Sequence, residues 1–167
     1  MLQVSKEEIV IFQQAKHYLE ENYKPEQRPR DDDVVIFVDN FIDWRKPSKR
    51  HPRQNRFCKN ILACFNSKLE HLKTCCPKAY PCTHAFDKIC EGTFSPTKEA
   101  VCKLIIAAEL DFETASRVLQ SEDISLCQYN KFDVVMMFFL ESEIYDFATI
   151  NRILYLLGMP LWGWSFL

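Results

Sequence analysis

Residues 95–111, Ser95-Pro96-Thr97-Lys98-Glu99-Ala100-Val101-Cys102-Lys103-Leu104-Ile105-Ile106-Ala107-Ala108-Glu109-Leu110-Asp111, decide the fold class. Ser95 is placed to cap a helix, and Pro96 suits its first position, where a missing N–H costs nothing. Val101, Leu104, Ile105 and Ala108 recur at helical spacing and form a core stripe. Asp111 is placed to cap the following helix, whose inward positions are Ala115, Val118 and Leu119. Two short amphipathic helices in direct succession predict an all-α domain.

The helical pattern continues in both directions. Toward the C-terminus, Phe132–Leu140 is a strongly apolar helix. Asp146 caps another, carrying Ile150, Ile153, Leu154 and Leu157 and closed by Gly158 and Pro160. Toward the N-terminus, Pro81 opens a helix over Cys82–Glu91 with Phe86 and Ile89 inward, and Gly92 is a natural terminator. Leu72–Ala79 forms a shorter helix interrupted by Pro77, and Phe57, Ile61, Leu62 and Phe65 mark one before it. Ser5 with Glu8 is a capping box for a helix over residues 6–22, with Ile9, Phe12, Ala15 and Leu19 along one side; Pro25 and Pro29 end it. Val34–Val38 is the only strand-like run. A lone strand has no partner within the chain, so it packs as an extended segment or pairs across a dimer. The expected architecture is seven to eight short helices around a helical core with a short N-terminal helical extension. Its parts are an N-terminal helix with an acidic, extended segment (1–44), a basic linker (45–54) and a helical domain (55–167).

The 167 residues are 47% apolar, 13% aromatic and 26% charged, enough to bury one core. That content excludes a disordered tail, and three glycines exclude collagen-like and Gly/Ser-linker classes. The opening MLQVSKEEIVIF has no basic n-region, long apolar h-region or small-residue cleavage site. The longest apolar run, Val134–Leu140, stops at Glu141 and Glu143, well short of a membrane span. The reading is a cytoplasmic protein with no membrane partner, its thiols mostly reduced.

A formal net charge of −2 conceals three blocks. Residues 1–44 hold 5 Lys/Arg and 10 Asp/Glu, and residues 104–167 hold 3 and 9. Residues 45–103 hold 13 Lys/Arg against 4 acids, a net of +9. From Arg45 to Lys59 there is no acid at all. Attraction for a polyanion depends on the local field within a Debye length of about 8 Å, so the small total charge does not argue against one. The same run also suits a solvated linker.

Three stretches carry a resemblance to a known class. Ala79 is followed by Phe86 and Ile89. Ser95-Pro96-Thr97-Lys98-Glu99-Ala100-Val101 leads into Ala107-Ala108-Glu109-Leu110-Asp111. Asn130-Lys131-Phe132-Asp133-Val134-Val135 runs to Ile144-Tyr145-Asp146, Ile150-Asn151 and Leu157-Gly158. Residues of about 55–163 thereby resemble the λ-repressor-like (XRE-like) helix-turn-helix module of uncharacterised bacterial proteins of the Firmicutes, a type also found downstream of macro domains. The upstream segment YLEENYKP (18–25) resembles a stretch preceding the module in such proteins.

The resemblance implies a transcription-regulator-like role, with double-stranded DNA as partner and the first turns of the third helix in the major groove. Its positions are Cys82, Thr83, His84, Asp87 and Lys88. Related chains carry Arg and Lys where this one has Thr83 and His84, so bidentate guanine readout has no donor. Lys78, Arg50, Arg53, Arg56 and Lys59 can instead meet phosphates, giving non-specific and strongly salt-dependent affinity. The alternative is a helical protein-interaction adaptor that keeps the fold without DNA readout, acting as a homodimer or on another protein.

Catalytic and cofactor signatures are absent. There is no Gly-rich phosphate loop, G-x-S-x-G elbow or H-E-x-x-H. Asp31–Asp33 form an exposed cluster, and His17, His51, His71 and His84 are scattered. The reading is a non-enzyme without a cofactor or small-molecule substrate. Cys75, Cys76, Cys82, His84 and Cys90 offer zinc-ligand chemistry, but no C-x-x-C pair exists. On one helix, His84 and Cys90 point about 120° apart, so no metal site is assigned. Cys58, Cys64, Cys102 and Cys127 are read as small core hydrophobes. The tail Leu161–Leu167 is very apolar. It folds back as a lid on the last two helices, or it presents Trp162, Trp164 and Phe166 to a partner.

Overall fold

A computed structural model describes residues 4–27, 52–65, 69–79, 84–94, 97–121 and 124–162. Among them are eight α-helices, a 3-10 turn at Pro25–Gln27 and no strand. The helices are α1 (Lys6–Asn22), α2 (Pro52–Cys64), α3 (Leu69–Ala79), α4 (Ala85–Cys90), α5 (Lys98–Ala107), α6 (Phe112–Ser121), α7 (Lys131–Glu141) and α8 (Phe147–Leu156). The Val34–Val38 run lies outside the described residues, as do Asp31–Asp33. Pro52, placed at the end of the basic linker by sequence, is the first residue of α2.

Two compact units form. In the first, α1 packs against α7 and α8. The Ser5 hydroxyl accepts the Glu8 N–H at 3.1 Å, and Glu8 Oε2 accepts the Ser5 N–H at 2.7 Å, closing the capping box. Glu8 is itself buried, and its other oxygen pairs with Arg152 of α8. The helix therefore rolls away from the stripe expected from its apolar residues. Ala15 is buried, but Ile9, 100° round from Glu8, is 45% exposed. Tyr18 packs against Phe138 with the rings tilted and 5.6 Å between centres. Burial, then the hydrogen bond to Glu141 and its charge, pushes the Tyr18 hydroxyl up to about 12.

The cap of α8 is as its sequence reads. Asp146 Oδ2 accepts the Thr149 N–H at 2.8 Å. At the other end Gly158 takes φ 67°, and the Met159 N–H returns to the Leu154 carbonyl at 2.8 Å. A left-handed residue there lets the chain leave the helix while its last carbonyls stay bonded. Trp162 then lies on Phe132 and Phe147, ring centres 5.8 and 6.1 Å away. Its backbone N–H donates to Asn151 Oδ1 at 2.8 Å.

Two carboxyls in this unit titrate below their ordinary values. Glu8 is lowered first by the Ser5 N–H, against the opposing pull of burial, with Arg152 and the Ser5 hydroxyl adding to the effect. For Asp146, burial pushes upward, but hydrogen bonds from Thr149 and Ala148 and the charge of Arg152 outweigh it. A carboxyl depressed in the folded state contributes stability above its unfolded value of about 4, and loses it as pH falls through the folded value. The urea midpoint should therefore stay level from about pH 7 to 5 and decline below about pH 4. Glu8→Gln combined with Asp146→Asn should flatten that decline; an unchanged acid limb would contradict the assignment.

The second unit holds α2–α5 and α6 from Glu113 onward. Here α3 packs on α4 and α5, and α2 packs on α4. Its core includes Ile61, Leu72, Ile89, Val101, Leu104 and Ile105, with Ala115, Val118 and Leu119 from α6, all buried as their spacing predicts. The cap of α5 is Thr97, whose hydroxyl accepts the Ala100 N–H at 3.2 Å. The cap expected at Ser95 is instead at Thr97, and the helix starts at Lys98 because Thr97 supplies the same acceptor two residues later. Cys58, Cys75, Cys76 and Cys102 behave as small core hydrophobes. Cys64 does not: at 100° per residue it rotates off the Cys58–Ile61–Phe65 stripe and is exposed. Cys127 is only half-buried.

Candidate nucleic-acid interface

The helices α3 and α4 follow one another across residues 80–84 and pack together. Leu72, Cys75, Cys76 and Ala79 form the buried side of α3, and Ala85 and Ile89 that of α4. Pro77 lies inside α3, in its last turn, where it has no N–H to return to the Lys73 carbonyl. The helix nevertheless runs on to Ala79, because only its final turn is affected. With two faces fixed inward, Lys73, Lys78, His84, Asp87 and Lys88 are left exposed.

The first helical residue of α4 is Ala85, three residues later than the sequence reading placed it. His84 occupies the N-cap position without a side-chain cap bond. Its Nδ1 lies 3.8 Å from Asp87 Oδ2, with both side chains mostly solvent-exposed. A carboxylate at that point weakens any anion contact that a protonated His84 would make. Past α4, Gly92 takes φ 72°, and the Lys88 carbonyl accepts the Thr93 and Phe94 N–H groups at 2.8 and 3.1 Å. This closure fixes the backbone of Lys88 and leaves its ammonium group outward.

The positive side chains differ in what neutralises them. On α5, Lys103 meets Glu99 at 2.6 Å, and Lys98 donates to the Ser125 carbonyl at 2.7 Å. On α6, Arg117 lies 3.9 Å from Glu113. By contrast, among the described residues no carboxylate pairs with Lys59 of α2, Lys73 or Lys78 of α3, or Lys88 of α4. Lys73 was absent from the residues singled out by motif. The signal that finds it is its place in the block of net +9, together with its exposed position on α3.

Arg50 and Thr83 lie outside the described residues, and so do the side chains of Arg53 and Arg56, whose backbone belongs to α2. Trp164 and Phe166 also lie outside. Trp162, one of the three residues read as a partner patch, is 4% exposed and serves as the lid over Phe132 and Phe147. Ring packing and the Asn151 hydrogen bond together hold it down, in keeping with the lid reading of the tail.

Among the described residues, no three His, Cys, Asp or Glu side chains come together as a metal site. Cys82 is outside them. His71 Nε2 sits 3.5 Å from Cys75 Sγ. Burial, then the neighbouring Cys75 and Cys90, pushes the Cys76 thiol up to about 12, opposite to the direction that activates a thiolate. No helix among the described residues is long and apolar enough to cross a membrane. No protein-family model, curated protein or solved structure matches this chain.

Proposed function

We propose that this chain is a non-enzymatic, DNA-associated protein that binds duplex phosphates through α2–α4, the basic part of a λ-repressor-like helix-turn-helix module, without reading bases. The observation that carries this reading is that Lys59, Lys73, Lys78 and Lys88 are exposed within the most basic part of the chain and that no carboxylate among the described residues pairs with them. Four ammonium groups without carboxylate partners pay no cost of breaking ion pairs when they meet phosphates, and the counterions they displace drive binding at low salt. The succession of α3 and α4, packed through apolar faces with their cations outward, supports the helix-turn-helix assignment. Base readout is not part of the proposal. The six residues of α4 offer Asp87 and Lys88 where guanine recognition would need a bidentate donor.

The test is retention on random-sequence duplex at about 50 mM salt, where phosphate contacts are strong. A shift that is independent of duplex sequence and disappears by about 200 mM salt supports the proposal; no shift at about 50 mM rejects it. A second reading, an adaptor for protein partners, is favoured by Phe112, Tyr155 and Leu156, large apolar side chains left exposed in the other unit.

A further inference from the structure

Of the three helices α2–α4, α4 is the least basic. α2 carries Arg53, Arg56 and Lys59 without an acid, and α3 carries Lys73 and Lys78 against Glu70. α4 carries one cation, Lys88, directly after an acid, Asp87, and Glu91 follows as its C-cap. The helix thus adds no net charge to a block of net +9.

His84, the N-cap residue of α4, and Asp87 stand three residues apart and so share one side of the helix. His84 Nδ1 lies 3.8 Å from Asp87 Oδ2, with the side chains 90% and 65% exposed. His84 makes no side-chain cap bond, so its imidazole is not tied to the fold. An imidazole changes charge between pH 5 and 8, and a protonated one can meet phosphate in a charge-assisted hydrogen bond. Here a carboxylate stands well inside the Debye length of about 8 Å, so the added charge is cancelled where it arises. Lys88 points about 100° away from Asp87 and keeps its own charge outward.

The neighbouring helices bring no second charged group to His84. α2 and α3 pack on α4. Their charged side chains are Lys59 on α2 and Glu70, Lys73 and Lys78 on α3, with those of Arg53 and Arg56 outside the described residues. Among the described residues none of these pairs with His84. His71, the imidazole of α3, has its Nε2 3.5 Å from Cys75 Sγ, and the Cys58, Cys75 and Cys76 thiols are buried. Glu91 is seven residues from His84, about 10 Å along the helix axis and beyond the screening distance.

We infer that Asp87 is a regulatory residue of the phosphate-binding surface: it silences His84, so that α4 gains no phosphate contact as pH falls. The inference rests on the duplex-phosphate reading and concerns the same surface.

The experiment measures affinity for random-sequence duplex at about 50 mM salt, at pH 8 and at pH 5.5. It compares the unmodified full chain with Asp87→Asn, with Asp87→Asn plus His84→Gln, and with Glu91→Gln. Asp87→Asn should bind about tenfold more tightly than the unmodified chain at pH 5.5, the effect of one added phosphate contact. At pH 8 its gain should be less than about threefold, and the double variant should lose the gain at pH 5.5. His17, His51 and His71 are present in all four proteins, so their own response to pH cancels in the comparison. Glu91→Gln removes an equal charge from the other end of α4 and should not reproduce the gain. The inference is overturned if Asp87→Asn binds no more tightly than the unmodified chain at pH 5.5. A gain that persists in the double variant, or that Glu91→Gln reproduces, also overturns it; each of these results leaves the duplex reading standing. No binding by any of the four proteins overturns the duplex reading itself, and this inference with it.

Discussion

Phe139→Ala should lower the unfolding free energy by about 3–5 kcal/mol, a large effect for a single side chain. Phe139 is 1% exposed and heads the fully buried side chains by volume. Its ring lies 5.8 Å from that of Phe138, which in turn meets Tyr18 of α1. Truncation removes the transfer energy of the ring and leaves a cavity that α7 cannot close, because Val135, Met136 and Leu140 are already fixed by burial on the same helix. Urea melts followed by far-ultraviolet circular dichroism would measure the loss. Tyr155→Ala, at an exposed position of α8, is the control and should change stability by less than about 0.5 kcal/mol. Equal effects from the two substitutions would mean that α7 is not the core helix described.

The second large effect concerns binding. Substituting Lys59, Lys78 and Lys88 together by alanine should reduce duplex affinity at about 50 mM salt on the order of 10³-fold. Each phosphate contact contributes a factor near salt concentration to the power −0.9, which is about fifteenfold between 1 M and 50 mM, and three such factors multiply. The three lysines are exposed and make no ion pair among the described residues, so their removal breaks nothing that holds the fold. Lys103→Ala provides the comparison. Its ammonium already meets Glu99 at 2.6 Å, so its loss should leave duplex affinity within about twofold. If the Lys103 variant loses as much as the triple variant, net charge rather than the α2–α4 surface is being measured.

Much of the fold is legible in the sequence because its signals are local. The Ser5–Glu8 box, the Asp146 cap, and Gly92 and Gly158 each act within a few residues, and each is found where its chemistry places it. What the sequence hides depends on distant partners. Glu8 is buried and Ile9 exposed because Arg152, 144 residues away, decides which side of α1 turns inward. Of the two readings of the tail, Trp162 follows the lid, and the residues that receive it, Asn151 and two phenylalanine rings, are set by packing rather than by local spacing. The candidate site divides in the same way. The block of positive charge can be counted from the chain, but no count distinguishes Lys103, neutralised by its own helix, from Lys78, which pairs with no carboxylate among the described residues.

The proposal's most direct test is the slope of log affinity against log salt for the unmodified protein on random duplex. Four phosphate contacts from Lys59, Lys73, Lys78 and Lys88 give a slope of about −3.6, and contacts from Arg50, Arg53 and Arg56 make it steeper. A slope near zero, or no measurable binding at about 50 mM salt, would contradict the account.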